Sequence, residues 1–358
     1  MQVRGWATMR IWVDALTPKQ ANLFSVLVSR LAARGHDVSV TTRHYREVEQ
    51  LLQIRHTSAT AIGRHGGADL PTKLAESSKR ITELVEFVKR SIPDVTISCC
   101  SPEAARVAYG LRIPHYSICD SPHAEAVCKL TLPLSRKLFT PRAVPKNAWK
   151  RYSMSPPDII RYNALDPAVW IREYAPGLDF AGASDLHGKK PVVLLRPEEE
   201  YASYLQTGLS RKSIITQLAR SLNDLSVQVI VLPRYESQVE MLATELADVA
   251  SVLPNVIDAL GLLPRCSVFI GAGGTMTAEA ALMGVPTISC YPSAPTYVDN
   301  FLFKVRLAER VLSVDRAVAK VHRVLKDPEL AIRQKQRAGR VLAGMEDPLR
   351  VIMSHLGL

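Results

Sequence analysis

A glycine-rich turn between an apolar run and a helix-forming run is the stretch of this sequence best suited to bind an anion. Val268–Ile270 is short and apolar, as strands buried in parallel sheets are. Gly271, Gly273 and Gly274 follow, and they allow a tight turn that comes close to a bound group. The next helix would direct free N–H groups and a positive dipole end at the same spot. The spacing predicts a phosphate site, with a merely tight connection as the alternative.

An acidic residue on the following helix suggests what else could be bound there. With Gly274 or Thr275 as N-cap, Glu279 lies beyond the N3 position of a capping box and shares a helix face with Thr275. A carboxylate beside a phosphate is unfavourable unless it accepts hydrogen bonds, and a ribose diol is a suitable donor. Glu279 is therefore predicted to bind ribose; the alternative is a surface glutamate that compensates the helix dipole. Gly284 and Pro286 are predicted to end this helix.

An arginine at the end of another predicted strand could help to hold a pyrophosphate. Residues 191–196 (PVVLLR) form an apolar run that ends at Arg196. If this strand neighbours the glycine turn, the guanidinium can act as a clamp for a pyrophosphate. The alternative is a structural ion pair with Glu198 or Glu199.

Candidate acid–base residues follow two predicted strands in the first half of the chain. Asp14 ends the strand at residues 10–14, while Asp120 and His123 come at and after the end of the strand at residues 115–120. The carboxyl ends of parallel strands share one edge, where a carboxylate or imidazole can act as a general acid or base on a bound ligand. Asp14, Asp120 and His123 are the predicted catalytic residues, with a structural histidine as the alternative for His123.

The loop after the first strand is polar and contains no glycine. Residues 14–20 (DALTPKQ) therefore lack the dinucleotide fingerprint, which argues against NAD or FAD. We expect Thr17, Lys19 and Gln20 to contact a ligand, because open α/β sheets bind ligands at the carboxyl ends of their strands. The six cysteines show no metal-type spacing and are interpreted as reduced, buried thiols of a cytoplasmic protein. Neither a metal nor a cofactor is predicted.

The pattern of elements predicts an α/β protein with two parallel-sheet domains. Residues 10–42 form a βαβ unit, and a second series of strands begins at residue 191. We predict a first domain at residues 9–178, a second at residues 188–344, and a final helix at residues 345–358. The proline-rich stretch 149–190 is predicted to be an irregular crossing between domains. Residues 62–71 are predicted to be a loop, and Ser101 and Pro102 are predicted to begin a helix as its N-cap and first residue.

Composition and charge narrow the classes of partner. The chain has 358 residues, 47% hydrophobic and 22% charged, without an apolar run of roughly 18–20 residues that could span a bilayer. Its net charge of +11 predicts an anionic partner. Nucleic acid is not expected, because the basic residues do not alternate with aromatic ones. One basic cluster surrounds Trp149 and is either a solvated face or a docking surface for a membrane or acceptor: Arg142, Lys146, Lys150, Arg151.

These motifs resemble those of known families. Gly-Gly-Thr followed by Glu-Ala-Ala and Gly-Val-Pro resembles the donor-nucleotide loop of GT-B enzymes, which include UDP-N-acetylglucosamine 2-epimerases and glycosyltransferases. From Met9 onward the chain more closely resembles an archaeal family of unknown function, domain of unknown function 354. The matching segments begin at Asp14, Arg34, Thr42, Ser101 and Asp120. The resemblance implies two Rossmann-like domains that face a central cleft, with residues 1–8 outside the family pattern.

The resemblance also implies that the final helix packs on the first domain and that Thr17, Lys19 and Gln20 contact an acceptor. Asp14, Asp120 or His123 would then deprotonate an acceptor hydroxyl or a sugar carbon. The loop at residues 62–71 would be either a mobile cover for the acceptor or a plain surface turn.

Three functions follow from the resemblance. The first is a glycosyltransferase that uses a UDP-linked sugar, bound through the glycine turn and Glu279, and an acceptor that could be lipid-linked at the inner face of the membrane. The second is a UDP-sugar 2-epimerase, which needs several clustered acid–base groups. The third is a protein that binds a nucleotide sugar without turnover.

Overall fold

The computed structural model of the chain describes residues 8–67, 69–173, 190–198 and 214–358. Two compact units divide the chain: unit 1 is Met1–Trp170 with Glu346–Leu358, and unit 2 is Ile171–Met345. The domain limits predicted at residues 178 and 188 lie outside the described residues, as does Glu199.

Unit 1 is built on a seven-stranded parallel sheet. Its strands are β1 (Arg10–Asp14), β2 (Asp37–His44), β3 (Thr60–Arg64), β4 (Val95–Ser98), β5 (His115–Ile118), β6 (Lys137–Pro141) and β7 (Ile159–Tyr162). Their order is β3-β2-β1-β4-β5-β6-β7. The strand order therefore reverses its direction between β1 and β4, a position where open α/β sheets form a crevice at the carboxyl edge.

The helices of unit 1 connect its strands. They are α1 (Pro18–Ala32), α2 (Arg46–Ile54), α3 (Leu70–Val88), α4 (Pro102–Gly110), α5 (Glu125–Thr131) and α6 (Ala168–Arg172), the last of which reaches into unit 2, with 3-10 turns at Leu132–Leu134, Lys146–Tyr152 and Pro156–Asp158. Ser101 caps α4 by accepting from the Ala104 amide at 3.2 Å, with Pro102 at the first position as predicted.

Two strands occupy stretches for which the sequence predicted irregular structure. β3 takes up part of the predicted loop at residues 62–71, and β7 lies inside the predicted crossing at residues 149–190. Pairing with β2 and β6 stabilises these short edge strands, and such pairing is not visible in local sequence. Pro156 and Pro157 lie just before β7, so the local sequence predicted irregular structure there and not a strand.

Unit 2 contains a six-stranded parallel sheet with apolar cores on both faces. Its strands are β8 (Val192–Arg196), β9 (Gln228–Val231), β10 (Ser251–Val252), β11 (Val268–Gly271), β12 (Thr287–Ser289) and β13 (Ala308–Arg310), in the order β10-β9-β8-β11-β12-β13. Val193 and Leu195 join one core, while Val192 and Leu194 join the other. This two-sided burial explains why the strands read as continuous apolar runs.

The helices of unit 2 connect these strands. They are α7 (Ile214–Leu222), α8 (Glu236–Glu245), α9 (Ala259–Leu262), α10 (Thr275–Leu282), α11 (Tyr297–Lys304), α12 (Val314–Lys326) and α13 (Pro328–Ala343), with 3-10 turns at Asn223–Leu225 and Leu263–Arg265. The predicted α/β class with two parallel-sheet domains is confirmed. No helix in the described ranges combines the length and apolar composition needed to cross a membrane.

The last helix, α14 (Pro348–Leu356), belongs to unit 1. Asp347 caps it and also lies 2.5 Å from Nη1 of Arg30 on α1. Arg34 donates a hydrogen bond to the carbonyl of Leu358 at 2.8 Å. These contacts attach the end of the chain to the first helix.

Candidate functional site

The glycine corner, residues Gly271–Thr275, lies where the strand order of unit 2 reverses. Gly271 at the end of β11 is the register partner of Arg196 at the end of β8. The Ala272 amide continues the pairing by donating to the Arg196 carbonyl at 3.1 Å. Because ligands of open α/β sheets bind at the carboxyl ends of strands beside such a reversal, this corner is the best-placed candidate site in unit 2.

Close packing makes two of the glycines necessary. Gly273 and Gly274 have φ angles of +98° and +94°, in the region that favours glycine. A Cβ atom on Gly273 would lie 2.7 Å from Cδ2 of Tyr291, and one on Gly274 would lie 2.8 Å from Nη2 of Arg234. Gly274 is the N-cap of α10 and is exposed, and as a glycine it has no side chain to cap the first turn. Solvent therefore reaches the amide-rich start of α10.

Glu279 is buried one turn after Thr275 on α10. It is 4% exposed, and it lies beyond the third position of the helix as the sequence indicated. This burial disfavours the alternative of a solvated surface glutamate. Ribose binding by Glu279, and phosphate binding by the glycine corner including Thr275, stay predictions.

Arg196 directs its guanidinium at backbone carbonyls in unit 2. Its Nη1 donates to the carbonyls of Leu232 at 3.0 Å and Pro233 at 2.6 Å, and the residue is 4% exposed. These contacts attach Arg196 to the segment that follows β9. Its use as a pyrophosphate clamp stays a prediction.

Arg234 is an arginine at the glycine corner that sequence reasoning did not assign to the site. Its Nη2 donates to the Gly273 carbonyl at 2.8 Å, and its Nε donates to the Pro197 carbonyl at 3.0 Å. The available signal was a basic residue just after a buried strand. The pairing of β9 with β8, and of β8 with β11, is what brings it to the corner.

In unit 1 a lysine lies between two carboxylates. Nζ of Lys19 is 2.5 Å from Oδ2 of Asp120 and 2.6 Å from Oδ2 of Asp166. The Tyr162 hydroxyl donates to Asp166 Oδ1, and the Ser121 hydroxyl donates to Asp120 Oδ1 at 2.8 Å. We call Lys19, Asp120, Asp166 and Tyr162 the lysine cluster. The structure thus brings Lys19 and Asp120 together as neighbours. It adds Asp166, which follows the unpredicted strand β7 and was not among the predicted site residues.

The two carboxylates of the lysine cluster differ in their affinity for protons. Burial by itself raises the pKa of Asp120, but the charge and hydrogen bond of Lys19, together with the Ser121 hydrogen bond, outweigh burial and lower it. Burial raises the pKa of Asp166, and Lys19 only partly offsets this effect. Burial opposes the charge on Lys19, yet both carboxylates hold its pKa well above the ordinary value. Asp120 is therefore the stronger acid of the pair.

The other predicted residues of unit 1 have different surroundings. Asp14 is fully buried and accepts hydrogen bonds from Arg80 and Thr41, which are not partners of Asp120. His123 is exposed, and its charge helps to lower the pKa of Asp120. The catalytic roles of Asp14, Asp120 and His123 stay predictions.

Gln20 and Thr17 lie at the start of α1. Gln20 is buried, and it accepts from the Leu16 amide at 2.6 Å and donates to the Cys99 carbonyl at 3.2 Å. These bonds connect the loop after β1 to the end of β4 across the reversal of strand order. Thr17 is the N-cap of α1 but makes no side-chain capping bond. Gln20 therefore shapes this loop, and acceptor contacts by Thr17, Lys19 and Gln20 stay predictions.

Comparison with solved structures agrees with this architecture. The chain is similar to the UDP-GlcNAc 2-epimerase of Neisseria meningitidis, solved with bound UDP-GlcNAc, with a TM-score of 0.72, 15% identity, and coverage of 97% of this chain and 99% of that one. It is also similar to the glycotransferase of kitacinnamycin, with a TM-score of 0.61, 16% identity, and coverage of 99% and 100%. The GT-B fold predicted from the motifs is confirmed.

Comparison of sequences identifies the family. The chain is 30% identical over 304 residues to the uncharacterized protein MJ0665 of Methanocaldococcus jannaschii. The aligned residues cover 82% of this chain and 85% of that protein. The family described as "Protein of unknown function (DUF354)" matches residues 9–356, so the resemblance drawn from the motifs is confirmed. This chain belongs to the DUF354 family.

Proposed function

We propose that this protein is an enzyme that acts on a nucleoside diphosphate sugar, most simply a UDP-sugar, as a glycosyltransferase. The observation that carries the proposal is the glycine corner at the reversal of strand order, with its exposed helix start beside Arg234. The N–H groups and dipole of a helix start favour a diphosphate. The likeness to a protein solved with UDP-GlcNAc supports uridine as the first base to test.

In glycosyl transfer, an acceptor oxygen forms a bond to the anomeric carbon while the bond from that carbon to the diphosphate oxygen breaks. The leaving diphosphate gains negative charge, which helix amides and a guanidinium stabilise. The acceptor hydroxyl loses a proton, and Asp120 is the carboxylate that we assign to accept it. Its lowered pKa keeps Asp120 ionised at neutral pH.

The second candidate is a UDP-sugar 2-epimerase, and the lysine cluster favours it. Epimerisation requires one group to remove a proton from a sugar carbon and another to deliver one. Neighbouring groups whose pKa values move in opposite directions, as those of Asp120 and Asp166 do, suit such a division of roles. The higher TM-score with the epimerase supports the same candidate.

Ligand binding is the first test. Thermal unfolding is measured with UDP, UDP-GlcNAc and the diphosphates of adenosine, guanosine, cytidine and thymidine. A ligand that binds the folded protein at 100 times its Kd adds about 2.7 kcal/mol of stability, so the Tm should rise with uridine compounds. Gly273→Val and Glu279→Ala should abolish the rise, whereas Glu329→Ala, at an exposed position in the first turn of α13, should preserve it. If no nucleoside diphosphate raises the Tm, the proposal fails.

Turnover then separates the candidates. A transferase releases UDP from a UDP-sugar only when an acceptor is present. An epimerase incorporates solvent deuterium at C2 of the sugar without any acceptor. Binding without either product would identify a non-catalytic nucleotide-sugar protein and would contradict both enzymatic candidates.

A further inference from the structure

We propose that Arg234 supplies the guanidinium that binds the diphosphate at the glycine corner, and that Arg196 positions Arg234. This inference rests on the proposed function, because it concerns the same ligand. It assigns to Arg234 the contact that the sequence suggested for Arg196.

Arg234 lies directly against the glycine corner. One of its nitrogens donates to the Gly273 carbonyl and another donates to the Pro197 carbonyl, so the plane of the guanidinium is held in place. A Cβ atom on Gly274 would lie 2.8 Å from Nη2 and 3.4 Å from Nη1. Arg234 is half-buried, and Gly274 is exposed. The positive charge therefore lies at the open start of α10, where a diphosphate would bind.

Arg196 shapes the segment that carries Arg234. It donates to the carbonyls of Leu232 and Pro233, the two residues immediately before Arg234. The Gln238 side chain accepts from the Arg234 amide at 2.9 Å. Contacts on both sides thus hold the Arg234 backbone, and the buried Arg196 acts through the backbone of its neighbours.

Two buried hydroxyls belong to residues next to Gly271 in the glycine corner. Thr277 and Ser289 are each 1% exposed, and within the described part of the chain their hydroxyl oxygens have no hydrogen-bond partner. The Thr277 oxygen is 2.9 Å from the position of a Cβ on Gly271, and Ser289 is the register partner of Gly271. Buried polar atoms without partners are rare in native proteins, and these two belong to residues beside Gly271.

The chemistry of the guanidinium suits this role. Its planar set of donors matches two phosphate oxygens at once, and hydrogen bonds between charged groups are stronger than neutral ones. A diphosphate oxygen is a better acceptor for Arg234 than the Gly273 carbonyl. The amides at the start of α10 then complete the shell around the anion.

Titration calorimetry with three probes tests the inference: UDP, uridine and inorganic pyrophosphate. Arg234→Gln should lower the affinity for UDP and for pyrophosphate about 10- to 100-fold, the loss expected for a charged hydrogen bond. The affinity for uridine should not change. Arg234→Lys, which keeps the charge but not the planar fork, should show a smaller loss. Arg265→Gln is the control, because Arg265 is an exposed arginine of unit 2 that also donates to a backbone carbonyl.

Salt dependence distinguishes binding from positioning. A direct charge contact is screened by salt, so Arg234→Gln should flatten the dependence of UDP affinity on ionic strength. Arg196→Gln should lower the affinity for UDP but keep the wild-type dependence of that affinity on salt, because Arg234 is still present. Thermal unfolding of each variant reports whether the fold is retained.

The outcomes separate this inference from the proposed function. Wild-type affinity of Arg234→Gln for UDP would overturn the inference and leave the proposed function standing. If pyrophosphate binds through Arg234 while no nucleotide binds, the inference stands and the proposed function fails. If the wild type binds neither UDP nor pyrophosphate, both are overturned.

Discussion

Arg80 on α3 donates to both carboxylate oxygens of Asp14 at the end of β1. The distances are 2.7 Å from Nη2 to Oδ1 and 3.1 Å from Nη1 to Oδ2. Asp14 is 0% and Arg80 is 1% exposed. Burial alone would raise the pKa of Asp14, but the charge and hydrogen bonds of Arg80 lower it. This buried ion pair attaches α3 to β1, an interior strand of the sheet of unit 1.

Removing Arg80 should strongly destabilise the protein. Arg80→Met leaves the carboxylate of Asp14 buried without its cation, which costs about 3–5 kcal/mol in comparable sites. Urea unfolding followed by circular dichroism measures the change. Lys79→Met is the matched control, because Lys79 forms only an exposed pair with Glu83 at 3.8 Å, worth roughly 0–1 kcal/mol. Equal effects of the two substitutions would contradict the role of the buried pair.

Adding a side chain at Gly63 should strongly destabilise the protein, because it would disturb Arg80. A Cβ atom there would lie 2.8 Å from Cγ of Arg80, and the φ angle of Gly63 is +73°. Gly63→Ala should therefore displace Arg80 from Asp14 in addition to straining the backbone. Gly67→Ala isolates the strain, because Gly67 has a φ of +68° and no atom within 4 Å of its Cβ position. In unfolding experiments, Gly67→Ala should cost only about 1–2 kcal/mol and Gly63→Ala clearly more.

The contribution of Asp14 to stability should disappear in acid. Its pKa in the folded protein lies below the ordinary value of 3.8, so the folded protein binds this proton less readily than the unfolded chain. The stabilisation is therefore complete above the unfolded pKa and is lost as the pH falls through the folded pKa. The difference in unfolding free energy between wild type and Asp14→Asn should be constant from roughly pH 7 to pH 5 and shrink below roughly pH 4. A constant difference down to pH 3 would contradict this assignment.

Lys19 should be needed to keep two carboxylates close together. Its side chain is 17% exposed, and that of Asp166 is 1% exposed. Lys19→Met leaves both carboxylates without their shared cation and should cost about 3 kcal/mol at neutral pH. The cost should fall at lower pH, where the carboxylates can bind protons. The double variant Lys19→Met/Asp166→Asn should recover part of the loss.

A surface lysine provides the comparison for Lys19. Lys129 forms an exposed pair with Glu125 at 2.5 Å. Lys129→Met should change stability by less than about 1 kcal/mol, because solvent screens exposed pairs. If Lys19→Met costs no more than Lys129→Met, the lysine cluster does not depend on its cation.

Local sequence was sufficient to predict the elements with strong short-range signals. The apolar strand at Val268–Ile270, the cap at Ser101 and the helix end at Gly284 each depend on residues a few positions apart. The same local patterns predicted the α/β class and carried the resemblance to the family. Such features follow from backbone preference and apolar spacing, which neighbouring residues determine.

Contacts between distant parts of the chain decided the rest. Asp166 reaches Lys19, and Arg234 reaches Gly273, only because β7 pairs with β6 and β9 pairs with β8. Arg80 pairs with Asp14 although the two residues lie 66 positions apart in the sequence. The strand order of a sheet depends on the total free energy of packing all its strands and helices, so no single stretch of sequence encodes it. The sequence by itself therefore determined which residues could do chemistry, and tertiary structure decided which of them became neighbours.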